Sequence, residues 1–135
     1  MSHASRRLAG ILLVVFPTVI FGGVSLLSFL VNDPAYQENA LRQDLWRAGH
    51  AHAGVLLLLG LLCQLLADAT TQTGFLDWLS RAGVPIAALL MPGGFFFASM
   101  GKDRTEPNGF IAMVVLGAFV LAAGLLSLGV GLLTA

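Results

Sequence analysis

Residues 107–135 read PNGFIAMVVLGAFVLAAGLLSLGVGLLTA, 29 residues without one charged side chain. Three more runs share that property: residues 8–32, 48–67 and 82–101, of 25, 20 and 20 residues. A helix of about 20 mostly apolar residues crosses the hydrocarbon core of a bilayer. Lipid offers the backbone no hydrogen-bond partners, so each run must satisfy its own amides, and a helix does so. The sequence therefore predicts an all-α, polytopic membrane four-helix bundle. Its single domain covers residues 1–135, with spans near 8–31, 46–67, 84–101 and 109–134.

Composition agrees and narrows the function. Hydrophobic residues make up 57% and charged residues 10%, against roughly 25% charged in a soluble domain. The formal net charge is zero and no basic patch exists to meet phosphates, which argues against nucleic-acid binding. Cys63 is the one cysteine, so a dithiol redox pair within the chain is excluded. Arg6 and Arg7 ahead of an apolar run look like the start of a signal peptide. The uncharged run of 25 residues exceeds the usual apolar signal core, and no small-x-small site precedes Asn32. A retained first span is the expectation. The seven Lys and Arg residues divide three against four between the two sides, so the positive-inside rule decides little; the weight of the first span favours a cytoplasmic N-terminus.

Several residues mark local structure. Pro17 removes the hydrogen bond to the Leu13 carbonyl and predicts a kink in span one. Asp33-Pro34 reads as an N-cap followed by a first-turn proline. Glu38 and Arg42 are spaced i,i+4 in the favourable order. A helix starting near Pro34 is expected either to lie at the interface or to run into span two. Between residues 68 and 81, Phe75, Leu76, Trp78 and Leu79 predict a short amphipathic piece resting on the opposite interface. Pro85 suits the first turn of span three, and Met91-Pro92-Gly93-Gly94 is expected to interrupt it. Thr105 or Asn108 is expected to cap span four. Gly117, Gly124 and Gly131 form a smooth strip where another helix approaches closely, with a partner inside the chain preferred to a second copy.

The stretch Trp46-Arg47-Ala48-Gly49-His50-Ala51-His52-Ala53-Gly54 carries the strongest chemical signal. Ionisable groups within a span are functional candidates by default. At about 1.5 Å per residue, the histidines lie roughly 6–9 Å inward from Trp46, near the head-group boundary. Residues two apart are separated by about 200° around a helix, so His50 and His52 cannot share one metal. His50 shares a stripe with Arg47, Gly54 and Leu57; His52 shares one with Gly49, Leu56 and Cys63. Cys63 is roughly 16 Å from His52, too far for one coordination sphere. Ser99, Met100, Lys102, Asp103 and Arg104 end span three on the histidine side, whereas the opposite side offers only Asp68, Asp77 and Arg81. A site is therefore expected on the histidine side, with Arg47, Ser99, Asp103 and Arg104 as its polar surroundings.

Three uses of the histidines follow: a haem or transition-metal ligand, contact with a lipophilic substrate, or a neutral hydrogen bond to a neighbouring helix. His50-Ala51-His52 within a span resembles the haem-ligand helix of haem–copper oxidases and the histidine-rich spans of NnrS-type proteins. That resemblance implies haem or metal at His50 and His52. With His3 the only other histidine, a second axial ligand would come from Met100 or another subunit. Chain size and Arg47-Ala48…His50 are similar to MAPEG glutathione-dependent enzymes, although the asparagine and glutamate of that motif are absent here. As a whole the chain resembles small four-span bacterial membrane proteins, which implies a bacterial inner membrane and a homo-oligomer or larger complex. No carboxylate lies deep in a span, no glycine-rich phosphate loop occurs, and no Ser/His/Asp set is evident. An accessory or binding protein is the leading expectation.

Overall fold

The computed structural model describes residues 1–101 and 103–135. Lys102, counted above with the polar groups of the histidine side, lies outside the described residues. The described residues form six helices: α1 His3–Val15, α2 Pro17–Asn32, α3 Pro34–Gln37, α4 Ala40–Ala67, α5 Gly74–Ala98 and α6 Ile111–Leu133. Together α1 and α2 make the first span, and α4, α5 and α6 make the others. All four are long and apolar enough to cross a membrane. They pack as a four-helix bundle, with α5 between α4 and α6 and with α1–α2 laid mainly on α4. Among the described residues α6 touches neither α1 nor α2. Only 6% of the most apolar window of the first span is buried, against 44% in α5, so the first span is peripheral.

Each proline has a specific effect. Pro17 ends the α1 ladder, yet Phe16 keeps helical angles (φ −53°, ψ −39°) and its amide still donates to Leu12 at 2.9 Å. The break is in the hydrogen-bond ladder, the part of the Pro17 expectation that follows from its missing amide. Pro85 and Pro92 correct the expectation for span three. Neither starts nor interrupts it: both lie inside one continuous helix. Pro85 leaves the Arg81 carbonyl without its amide donor, and the Gln64 side chain supplies the replacement, Nε2 donating at 2.8 Å. Membrane helices tolerate prolines where neighbours satisfy the freed groups in this way. Gln64 is fully buried. Its replacement by Leu is expected to destabilise the bundle by about 1–2 kcal/mol through the orphaned carbonyl. In a Pro85→Ala background, where the amide returns, the same change is expected to be nearly neutral. Thermal unfolding of the four variants in detergent measures that coupling.

Two other boundaries differ from the sequence reading. The helix begun at Pro34 is capped as expected, with Asp33 Oδ1 accepting from the Tyr36 amide at 3.2 Å, but it stops after Gln37. Asn39 is extended (φ −105°, ψ 92°), and its side chain accepts from the Arg42 amide at 2.9 Å. A short polar side chain that bonds the backbone in this way starts a new helix instead of continuing the old one. The amphipathic piece is not a separate element: Phe75 and Trp78, stacked at 5.8 Å between centroids, lie in the first turns of α5. Neither Thr105 nor Asn108 caps α6, whose N-cap is Phe110 without a side-chain bond; Asn108 makes the turn before it, accepting from the Phe110 amide at 2.9 Å and donating to the Phe97 carbonyl at 2.8 Å.

The glycine strip packs inside the chain. A Cβ at Gly124 would lie 3.0 Å from the Gly83 Cα, and one at Gly83 would lie 2.8 Å from the Gly124 Cα. Here α5 and α6 touch backbone to backbone, the close approach that small residues permit in lipid. Gly117 faces Met91, and Gly131 faces Gln72.

Candidate functional site

The bundle separates the residues that the sequence grouped together. His50 projects toward α2. Its ring rests on Gly22 and Gly23, so close that a Cβ at Gly23 would come within 3.2 Å of Nε2. His52 projects toward α5, its ring 4.9 Å from that of Phe95. Opposed histidines are what the helical angle requires. His52 Nδ1 lies 2.7 Å from the Ala48 carbonyl. A carbonyl only accepts, so Nδ1 carries the proton in this contact.

Ser99 is buried in a different setting. Its hydroxyl accepts from Trp46 Nε1 at 2.6 Å and donates to the Phe96 carbonyl at 2.9 Å. Trp46 is the hub of an aromatic cluster with Phe29, Tyr36 and Phe96 at 5.4–6.1 Å between centroids, with the Arg42 guanidinium 5.8 Å above it. This cluster fixes the top of α4 to α2, α3 and α5. Met100 is exposed beyond α5, where its carbonyl accepts from Asn108. Asp103 and Arg104 line a shallow polar hollow of about 510 Å³ with Glu38 and Asn39. Arg47 is exposed and bonds Gln43 at 2.9 Å. Among the described residues no three His, Cys, Asp or Glu side chains converge where they could hold an ion.

Instead, the first span and α5 flank a groove of about 490 Å³, floored by α4. The first span contributes Ile11, Leu12, Val15 and Val19; α5 contributes Pro85, Ile86, Leu89 and Pro92. From α4 come His50, Ala53 and Leu57, one stripe of that helix. Of the lining residues only Thr18 and His50 have polar side chains, and Thr18 already donates to the Val15 carbonyl at 2.8 Å. His50 is thus the one ionisable group on an otherwise apolar surface. The sequence carries the parts of this groove, in Pro17, Gly22-Gly23 and the His50 stripe, but not their assembly, because no local rule says that α2 misses α5.

The richest polar network lies at the opposite end, where the sequence offered little. Arg81 Nη1 donates to Asp68 Oδ1 at 2.6 Å and Arg81 Nε to Asp77 Oδ1 at 2.8 Å. Ser5, fully buried, donates to Asp68 at 3.0 Å and accepts from Arg81; the Ser2 amide donates to Asp68 at 2.6 Å. The Arg81 guanidinium beside Asp68 holds that carboxyl well below the usual carboxylate range, with the Ser2 amide adding to the effect. The i,i+4 spacing of Asp77 and Arg81 on one helix is a signal for that pair, but the sequence reading named both residues without pairing them. Ser2 and Ser5 carried no signal. The network clips the start of the first span to α4 and α5, beside Leu8 at one end of the groove. No family model, curated protein or solved structure matches the chain.

Proposed function

We propose that the protein is an integral membrane binding protein, of a bacterial inner membrane, that holds a lipophilic small molecule in the groove under His50. The observation that carries this reading is the pairing of about 490 Å³ of laterally placed apolar space with a single ionisable side chain. Small-molecule sites are mostly apolar clefts of ~300–1,000 Å³ in which a few polar groups fix orientation. The surrounding bilayer delivers such ligands from the side, and a lipophilic substrate for an enzyme would use the same groove. A homo-oligomer or larger complex would cover the outward faces of α1–α2 and α6, which expose Phe21, Phe119 and Leu126.

A haem or transition-metal role has one observation in its favour. The Nδ1 bond of His52 to a backbone carbonyl is the arrangement that usually orients metal-ligating histidines. Among the described residues, no group of three His, Cys, Asp or Glu side chains gathers around it. One experiment addresses both readings. Protein purified in mild detergent is extracted with organic solvent for mass spectrometry, and its visible spectrum and metal content are recorded. A stoichiometric lipophilic molecule, lost when Ala53→Phe fills the groove, is the expected result. A Soret band lost in His52→Ala or His50→Ala would transfer the assignment to haem. Extracts identical for the wild type and Ala53→Phe would overturn the groove reading.

A further inference from the structure

The shape and charge of the groove narrow its occupant, an inference that rests on the reading just given. On α5 the lining runs from Ala82 to Phe96, a rise of about 21 Å over 14 residues. Dividing the volume of about 490 Å³ by that length leaves an average cross-section of roughly 23 Å². An alkyl chain with apolar neighbours at about 4–4.5 Å needs roughly 4.5 × 4.5, or ~20 Å². The groove therefore has room for at least one chain along its length. It is also longer than the ~15 Å of one leaflet, half of a ~30 Å hydrocarbon core, so a chain lying in it passes the bilayer midplane.

Charge fixes the other end. The floor stripe of α4 is His50, Ala53 and Leu57, and three residues outward on the same face stands Arg47, exposed. Neighbours at i,i+3 lie about 5–6 Å apart on a helix surface, so one head group can meet both. No carboxylate lines the groove. The nearest acid along α4 is Asp44, exposed and one turn further out. His50 is held in place against Gly22 and Gly23, and Arg47 is fixed by Gln43 alone, so it can turn to an anion. Among the described residues the far end, at Leu8, Ala82 and Pro85, has no polar lining side chain, and Arg81 beside it is already held by Asp68 and Asp77.

We propose that the groove binds a single-chain amphiphile of the fatty-acid class, its carboxylate at Arg47 and His50 and its chain extended along α5 toward Leu8. The carboxylate accepts hydrogen bonds from the guanidinium and the imidazole, and the chain replaces lipid against Pro85, Leu89 and Pro92. The carboxylate, rather than chain burial alone, sets the orientation.

The test uses delipidated full-length protein in a non-ionic detergent and two fluorescent probes with the same chain, cis-parinaric acid and its methyl ester, with empty micelles as the blank. The acid is expected to bind at least tenfold more tightly than the ester, since hydrogen bonds to a charged group are the stronger ones. Arg47→Gln and His50→Gln are each expected to weaken the acid by about tenfold and to leave the ester unchanged. Ala53→Phe, checked for its oligomeric state and helix content, is expected to remove both. Equal binding of acid and ester to the wild type, lost in Ala53→Phe, would overturn the carboxylate assignment and leave the groove reading standing. Binding of neither probe, or binding unaffected by Ala53→Phe, would overturn both. Displacement of the acid by a two-chain anionic phospholipid at equal potency would overturn the single-chain assignment.

Discussion

Gly124→Leu is expected to separate α6 from α5 and to lose stability at or beyond the upper end of the ~1–3 kcal/mol typical of overpacking. The reason lies in what the new side chain meets. At Gly124 the first obstacle is the Gly83 Cα, 3.0 Å from the added Cβ, with the Leu79 carbonyl at 3.3 Å. Backbone has no rotamer through which to withdraw, so the helices themselves must part. At Gly117 the obstacle is the Met91 side chain, and at Gly131 the Gln72 side chain. The far end of Gln72 can swing aside, so Gly131→Ala should cost less; at Gly117 the Leu90 Cβ at 3.1 Å and the Met91 backbone nitrogen at 3.2 Å cannot, so Gly117→Ala should rank between Gly131→Ala and Gly124→Leu. Gly129 has nothing within 4 Å of its Cβ position, and Gly129→Leu serves as the neutral control. Thermal unfolding in detergent, followed by circular dichroism, should rank the variants with Gly124 worst and Gly129 near wild type. Equal effects at Gly124 and Gly129 would mean that the two helices do not meet where described.

Arg81→Gln is expected to release the start of the first span and to destabilise the protein by about 2 kcal/mol. Removing one partner of a buried ion pair costs ~3–5 kcal/mol. The lower figure applies because Asp68 and Asp77 still reach solvent, with side chains 21% and 31% exposed. Glutamine keeps a donor but not the charge or the three-way geometry that joins Asp68, Asp77 and Ser5. The loss should be local: limited proteolysis or amide exchange should find α1 opened while α5 and α6 stay protected. Acid should act on the same contact. Because Asp68 titrates below its ordinary range in the folded state, its contribution is complete above the unfolded pKa, near 4. It declines as pH falls below that value toward the folded one. In Arg81→Gln that acid-dependent part of the stability should largely vanish. An acid response unchanged from wild type would show that Asp68 owes its low pKa to something other than Arg81.

The sequence made the bundle legible because the decisive fact is physical and local: an uncharged run of about 20 residues has few stable forms other than a spanning helix. The opposed directions of His50 and His52 were legible for a similar reason, since 100° per residue leaves no freedom. Where the reading of span three failed, at Pro85 and Pro92, a local rule met a tertiary remedy. The Gln64 amide that repairs the Arg81 carbonyl stands 17 positions away in the chain. The histidine-side polar group failed differently. Ser99, Asp103 and His50 share one end of the bundle yet point to the aromatic cluster, the loop hollow and the groove. Depth in the membrane can be counted along a helix, whereas direction around it depends on which helices touch. The network at Arg81 was missed because two of its members, Ser2 and Ser5, are ordinary terminal serines until α1 carries them to Asp68.

The peripheral seat of the first span has a consequence for biogenesis. Residues 3–32 are translated before the residues that fasten them: His50 and Leu57 on α4, then Asp68 and Arg81. Until those positions have been translated, the opening helix must reside in the bilayer as a free rod, broken at Pro17 and without a mate. It is suited to that wait, since its own apolar surface keeps it there with almost none of its area shielded by protein. Nascent chains halted before residue 81 should thus be inserted but not yet clasped.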